Sequence, residues 1–386
     1  MSANKTILVF TGGGLAPALN PTLYGVISAA KKNNYRILGG LFGWQCLSEE
    51  GNILDLTDYN IESLKSVGGT FLRSSRTNPF HEEGKIDSLK KKLKEHSIDV
   101  VVAIGGDDTL GAAKNLFVNE GIATIGIPKT IDNDLMGTYF TPGFPSAAYY
   151  LYSFAEQIKI DAAYALSRIY IVESLGQKVG WLTAASVYGQ PDVILPPEKK
   201  YDLDKVLTAI KDRYRENGNF ATVVVSEEAN FSNGLEGQAD DQKESFGHQR
   251  KNFIALELRK VIKQRLNIDC KAVFPGNWLQ AGPPIEIDRD FGIKLGHHAI
   301  ELIKSGSFGS MPCIKRKEDS KELYVGSVLL TEVTYENQRK CLTGELFDFD
   351  EFKPRQSYLD YLEPILGKYN QPDSDYWRLI SSINKR

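Results

Sequence analysis

Cysteine is scarce in this chain, and what there is lies scattered. Cys46, Cys270, Cys313 and Cys341 include no C-x-x-C pair. That argues against a disulfide framework or a zinc site and fits a reducing, cytoplasmic compartment. A long hydrophobic run is also missing. None approaches the roughly 18–20 apolar residues a bilayer requires, and Met1–Asn4 does not read as a signal peptide, so no membrane partner is expected. Nor is there an excess of one charge. With 46 Lys+Arg against 49 Asp+Glu the formal net charge is −3, which ill suits a protein that neutralises nucleic-acid phosphates. No internal repeat or low-complexity tract interrupts the 386 residues, enough for about two domains. The surplus is in glycine: 34 residues, about 9% against a usual ~7%.

Many of those glycines follow short apolar runs. Thr6–Phe10 leads into Gly12-Gly13-Gly14, Asp99–Ile104 into GGDDT (Gly105–Thr109), and Thr124–Ile127 into PKTIDND (Pro128–Asp134). Ile169–Val172 and Ala221–Val225 repeat the pattern. These β-branched runs lack polar alternation, which predicts strands covered on both faces, as in a parallel sheet. Helical stretches at Asn20–Lys32, Lys85–His96 and Ser146–Ile158 lie between them. The fold class is therefore α/β, with ligands expected beyond the carboxyl ends of the strands. Residues 232–251 are polar and read as a surface insertion. The aromatic-rich end, with Phe347, Phe349, Phe352, Tyr358, Tyr361, Tyr369 and Tyr376, reads as a packed tail.

Three loops carry the candidate chemistry. TGGGLAPALN (Thr11–Asn20) offers backbone N–H groups to an anion. It matches neither a P-loop nor G-x-G-x-x-G, so a plain turn or a dinucleotide loop stays open. GGDDT sets two carboxylates beside a glycine pair, suited to a magnesium ion between protein and phosphate, or simply to capping the next helix. PKTIDND places a lysine three residues ahead of paired aspartates. A carboxylate there can accept the proton of an attacking hydroxyl while the lysine neutralises the moving phosphoryl group. The bland alternative is a turn rich in Asp and Asn. His297 and His298, in LGHHAIELI, read as structural, and Lys90–Lys94 as a solvated helix face.

In this order, TGGGLAPALN, GGTFLRSSRTNPF (Gly68–Phe80), GGDDT, PKTIDND, GTYFTPGF (Gly137–Phe144), IVESLGQKVGWL (Ile171–Leu182), VVVSEEA (Val223–Ala229) and Asp288-Arg289 resemble the phosphofructokinase family over residues 5 to 305. The resemblance implies two similar Rossmann-like, three-layer domains with the active site in the cleft between them. The expected division is 1–145 plus about 277–315 for the phosphoryl donor, 146–276 plus about 316–345 for the acceptor, and 346–386 as the tail. It also implies a cytoplasmic, Mg2+-dependent kinase of carbohydrate metabolism, in glycolysis, and a homo-oligomer, dimer or tetramer. Asp132 would be the general base, assisted by Asp134, with Lys129 and Thr130 beside them and Thr130 touching the acceptor. Asp107 would help hold the metal. Gly13, Gly14, Arg76, Gly106 and Asp108 would line the donor. ATP-dependent members typically read GGDG[ST] and PGTIDND; Asp108 and Lys129 here resemble the pyrophosphate-dependent members, so pyrophosphate is favoured over ATP.

On the acceptor side Arg168 and Glu227 are kept. The family's M-G-R is Leu175-Gly176-Gln177, Asn277 and Gln280 replace a ring residue and an arginine, and Lys271 stands for another arginine. Neutral amides forfeit charge-assisted contacts to a phosphate. Two acceptors therefore stay open: fructose 6-phosphate, giving fructose 1,6-bisphosphate, or a different sugar or polyol. By family analogy Arg168 and Lys271 would act across a subunit interface. A non-catalytic regulatory subunit of the same fold is a further alternative, against which the retained aspartates and lysine speak. A nucleotide-binding oxidoreductase is disfavoured by the missing G-x-G-x-x-G.

Overall fold

The computed structural model describes residues 5–383 apart from 82–83, 166–167, 233–234, 236–237, 240–250, 334–338, 370–375, 377–378 and 381. The β-branched runs form strands at Thr6–Thr11, Val100–Gly105, Thr124–Pro128, Ile169–Ser174 and Ala221–Ser226. The helical stretches form helices at Leu19–Lys32, Lys85–Glu95 and Phe144–Ala165. Two compact units result: Met1–Ala147 with Gln280–Lys340, and Ala148–Leu279 with Cys341–Arg386.

In the first unit a seven-stranded sheet runs in the order Leu323–Leu329, Ser310–Arg316, Thr124–Pro128, Val100–Gly105, Thr6–Thr11, Arg36–Gly40 and Ile53–Asp55. Its inner five strands are parallel and both edge strands antiparallel. Alternate residues serve opposite faces. Leu8, Phe10, Val101 and Ala103 pack with Leu110, Ala113 and Leu116 of the helix Asp107–Val118. Ile7 and Val9, equally buried, belong to the other face. The segment 316–340, expected in the second unit, lies in the first. The reason is local: Leu323–Leu329 folds back as a hairpin on Ser310–Arg316, pairing along its whole length.

The helices Leu19–Lys32 and Glu286–Ser305 approach each other through glycine. A Cβ on Gly25 would sit 2.3 Å from the Ile293 carbonyl oxygen, and one on Gly296 2.6 Å from Thr22 O and Val26 N. Both obstacles are backbone, which cannot swing aside.

The second unit holds a four-stranded parallel sheet in the order Cys270–Val273, Ile169–Ser174, Ala221–Ser226 and Val193–Leu195. Ile169, Ile171, Val223 and Val225 pack on Val206, Ile210, Leu258 and Ile262 from the helices Leu203–Glu216 and Ile254–Leu266. Tyr170 and Phe220 pack with Ala162 of Phe144–Ala165 in a separate cluster. Within this unit Phe347, Tyr358, Leu362 and Ile365 are buried, and Tyr358 Oη donates to the Trp181 carbonyl at 2.5 Å. Most of the polar insertion 232–251 lies outside the described residues. The α/β class with parallel sheets is as expected. Among the described residues no helix is long and apolar enough to cross a membrane.

Substituting Gly296→Ala should lower unfolding stability by about 1–3 kcal/mol, the usual cost of overpacking. Urea denaturation checks this; an unchanged midpoint would show that the two helices can separate freely.

Candidate active site

The strands Thr6–Thr11, Val100–Gly105 and Thr124–Pro128 are adjacent and parallel, so the three loops that follow them share one edge of the first sheet. Backbone hydrogen bonds lace the loops together. Gly12 N donates to Ile104 O at 2.8 Å, Gly13 N to Ser75 O at 2.9 Å, and Lys129 N to Gly105 O at 2.9 Å.

The glycines divide by role. A Cβ on Gly12 would meet Thr109 Oγ1 at 2.5 Å, and one on Gly105 would meet Thr109 Cβ at 2.4 Å. These two glycines make room for a buried threonine, not for a ligand. Gly13, Gly14 and Gly106 differ. A Cβ at Gly14 would have no atom within 4 Å, one at Gly106 would meet only Lys129 O at 3.7 Å, and Gly13 adopts φ +82°. Gly13 is thus required by its backbone, and all three leave open space at the strand ends.

Lys129 occupies the middle of this edge. Its side chain is buried, and Nζ donates to Gly14 O at 2.5 Å, joining the third loop to the first. Burial lowers its pKa from 10.5 to about 8; Asp132 and Asp134 oppose that shift, and Arg76 adds to it. Lys129, Arg76, Asp132 and Asp134 therefore share one electrostatic environment. Thr130 Oγ1 accepts from Asp132 N at 3.1 Å, which turns the chain so that two aspartates follow in quick succession. Between them Asn133 takes φ +59°, a left-handed conformation asparagine tolerates, and its Oδ1 accepts from Thr141 N at 3.1 Å.

Asp107 and Asp108 stand in the first turn of Asp107–Val118, whose N-cap is Gly106 with no side-chain cap. Neither aspartate caps the helix; both carboxylates enjoy its positive end instead. Asp108 is exposed and Asp107 partly so. Among the described residues no three His, Cys, Asp or Glu side chains form a metal cage. The donor set nevertheless fits Mg2+, a hard cation that usually takes one or two carboxylates and completes its shell with water and substrate phosphates.

Sequence reasoning missed Arg339 and Lys340. Arg339 Nη1 pairs with Asp134 Oδ2 at 2.6 Å, and its Nη2 lies 3.6 Å from Asp107 Oδ2. Lys340 N donates to Asp134 O at 2.9 Å. The buried Lys340 Nζ donates to the Tyr139 carbonyl, and burial lowers its pKa from 10.5 to about 7. No local pattern around Gln338-Arg339-Lys340 could reveal a partner 205 residues away.

In the second unit Leu175-Gly176-Gln177, Glu227 and Asn277 all follow the carboxyl ends of adjacent parallel strands. Glu227 Oε1 accepts from Gly176 N at 3.2 Å, and Gly176 takes φ +128°. Gln177 and Asn277 are exposed. Arg168 and Lys271 are elsewhere. Arg168 precedes the six-residue strand Ile169–Ser174, and Lys271 pairs with Tyr170 near that strand's start. At ~3.3 Å per residue the strand separates them from Gly176 by about 20 Å. The two cations flank one ring: Arg168 Cζ is 6.0 Å and Lys271 Nζ 5.7 Å from the Tyr170 centroid. Arg168 is buried, with Asp269 Oδ2 3.6 Å from its Nε, which has no hydrogen-bond partner among the described residues. Gln280 falls in the first unit.

The family model for phosphofructokinase matches residues 6–303. The chain belongs to the phosphofructokinase family. The pyrophosphate–fructose 6-phosphate 1-phosphotransferase of Amycolatopsis methanolica is 34% identical over 310 residues, covering 80% of this chain and 89% of that one. The ATP-dependent 6-phosphofructokinase 2 of Clostridium perfringens is 33% identical over 343 residues, covering 83% and 91%. The crystal structure of a pyrophosphate-dependent phosphofructokinase from Nitrosospira multiformis superposes with a TM-score of 0.83 at 25% identity, covering 96% of this chain and 94% of that one. This phosphofructokinase-family protein is thus an enzyme, a phosphotransferase with a hydroxyl acceptor.

Asp288, in the family-like Asp-Arg pair, buttresses the segment that follows the PKTIDND loop. It is fully buried and accepts from Gly143 N at 2.7 Å, Ser146 N at 2.9 Å and Ser146 Oγ at 2.5 Å. Burial raises its pKa from 3.8 to about 6. Because the folded value is the higher one, its contribution is fully present below pH ~4 and is lost as pH rises through about 6. The hydrogen bonds matter at every pH. Asp288→Ala orphans two buried N–H groups, and at about 1–3 kcal/mol each should cost about 2–6 kcal/mol by chemical denaturation at pH 7. A wild-type midpoint would mean that Gly143 is held by other contacts.

Proposed function

We propose that the enzyme transfers a phosphoryl group from pyrophosphate, with Mg2+, to a sugar-phosphate hydroxyl, in the manner of a 6-phosphofructokinase: fructose 6-phosphate becomes fructose 1,6-bisphosphate. The observation that carries this reading is Lys129, a buried ammonium set between the open glycines 13 and 14 and the aspartates 132 and 134. A compact polyanion complements such a charge. Gly13, Gly14 and Gly106 would present backbone to the donor, with Arg76 reaching its phosphates. Asp132 would take the proton of the acceptor hydroxyl, and Thr130 would orient that hydroxyl. Asp107 would hold the magnesium, which when bound neutralises phosphate charge.

The donor assignment rests on Asp108, whose carboxylate would crowd and repel a nucleotide's inner phosphate, and on Lys129, whose ammonium suits a compact polyanion. Relatives of both donor types are similar to the chain, so the support for pyrophosphate comes from these residues. A second acceptor reading has its own support: Gln177 and Asn277, at the strand ends beside Glu227, are neutral. They suit a less charged sugar or polyol. Arg168 and Lys271 lie about a strand length away, which supports a homo-oligomer in which they serve a neighbouring copy's acceptor phosphate. The scattered cysteines, all four free among the described residues, support a cytoplasmic location.

With pyrophosphate and magnesium, fructose 6-phosphate should be phosphorylated, and Asp132→Asn should lower kcat by about 10²–10⁴-fold. Free sugars and polyols belong in the same assay. Equal rates for wild type and Asp132→Asn would refute the site; a polyol preferred over fructose 6-phosphate would select the second reading.

Lys129 should set the alkaline limit of donor binding. Its ammonium is lost as pH rises through about 8, so KM for pyrophosphate should climb about tenfold per unit above that point. In Lys129→Arg the guanidinium stays charged, and the climb should disappear. Comparing the two pH profiles removes the ligand's own ionisation; superimposable profiles would take Lys129 out of the donor site.

A further inference from the structure

Arg339 touches two of the three loops, and its two contacts differ. Toward Asp134 the distance is 2.6 Å and the carboxylate side chain is only 6% exposed. Toward Asp107 the distance is 3.6 Å and that side chain is 40% exposed. The first is a charge-assisted hydrogen bond in a sheltered place. The second is too long for a hydrogen bond and open to water, so it is a weak, exchangeable attraction. The segment is fixed from below, because Lys340 N bonds Asp134 O at 2.9 Å and Lys340 Nζ bonds the Tyr139 carbonyl. A guanidinium is the side chain that can present separate nitrogens to two carboxylates in a set geometry.

We propose that Arg339 is a positioning residue with two linked tasks. It aims the Asp134 carboxylate, and it stands as an internal counter-charge over Asp107 that a divalent cation must displace. The inference rests on the roles given above to Asp107 and Asp134. In the empty enzyme the guanidinium balances two acidic groups that would otherwise repel. When a divalent cation engages Asp107, the electrostatic hold of Nη2 is relieved while Nη1 keeps Asp134. Cation arrival at one loop is thereby coupled to the freedom of the Arg339 side chain against another.

The test uses Mn2+ as the probe, titrated into substrate-free protein and followed by electron paramagnetic resonance, beside steady-state kinetics. Arg339→Gln should bind Mn2+ roughly two- to fivefold more tightly, the scale of a partly exposed ion pair. Its kcat should fall about tenfold or more with little change in KM, as expected when an oriented group is let loose. Arg339→Lys should recover part of kcat, since one ammonium can still serve Asp134, while retaining much of the tighter Mn2+ binding. Adding Asp107→Asn to Arg339→Gln should abolish the gain in affinity. Mn2+ affinity that is unchanged or weaker in folded Arg339→Gln overturns the proposal; if that variant does not fold, the same result in Arg339→Lys does so. Wild type without pyrophosphate-dependent turnover would instead sink the reading of the site. The Mn2+ comparison needs no turnover and still decides whether Arg339 opposes a cation at Asp107.

Discussion

Everything on the loop-bearing edge of the first sheet depends on burying one ammonium. Removing a lysine charge from water is costly, and proteins tolerate it only where partners or a lowered pKa compensate. Lys129 uses both: a carbonyl of the first loop accepts its hydrogen bond, two aspartates lend it negative field, and its pKa still falls to about 8. Such a charge gains from an anionic ligand. Arg76 strengthens the demand, since it pushes the same pKa down. The first loop must come close enough for Gly14 O to be reached, so Gly13 has to take a positive φ and side chains have to be absent there.

That closeness is set by packing below the loops. Thr109 fills the space left by Gly12 and Gly105, locking the first and second loops into one block. Asp288 does the same for the third, gripping Gly143 just after Thr141 Oγ1 has donated to Thr130 O. The chemistry-bearing loops are therefore rigid where they leave the sheet and open where they face solvent. Phosphoryl transfer, which depends mostly on positioning and charge, benefits from that division.

Much of this was legible in the sequence. Unbroken β-branched runs ending in glycine or polar clusters marked five strands. The lysine and paired aspartates of PKTIDND announced themselves by spacing. What stayed hidden depended on three dimensions. Gly12 and Gly13 look alike as letters, yet one accommodates Thr109 and the other a backbone angle. Asp107 and Asp108 look like caps, yet Gly106 takes that position. The extent of the first unit was misjudged because a hairpin, Ser310–Arg316 with Leu323–Leu329, gives no motif. Arg339 was invisible for the same reason: its partners are far away in sequence.

The second unit sharpens the question of the acceptor. A parallel sheet gathers ligand-facing loops at its carboxyl edge, and here that edge carries Glu227, Gln177 and Asn277, with no arginine among those three. Arg168, kept from the family pattern, and Lys271, in place of an arginine, sit at the other edge, flanking Tyr170. Arg168 is buried with its Nε unmatched, an arrangement that costs free energy unless an anion or a partner group completes it. A single sheet cannot bring both edges to one ligand. A ligand held at the carboxyl edge, beside Glu227, Gln177 and Asn277, is therefore a strand length away from Arg168 and Lys271 of the same sheet.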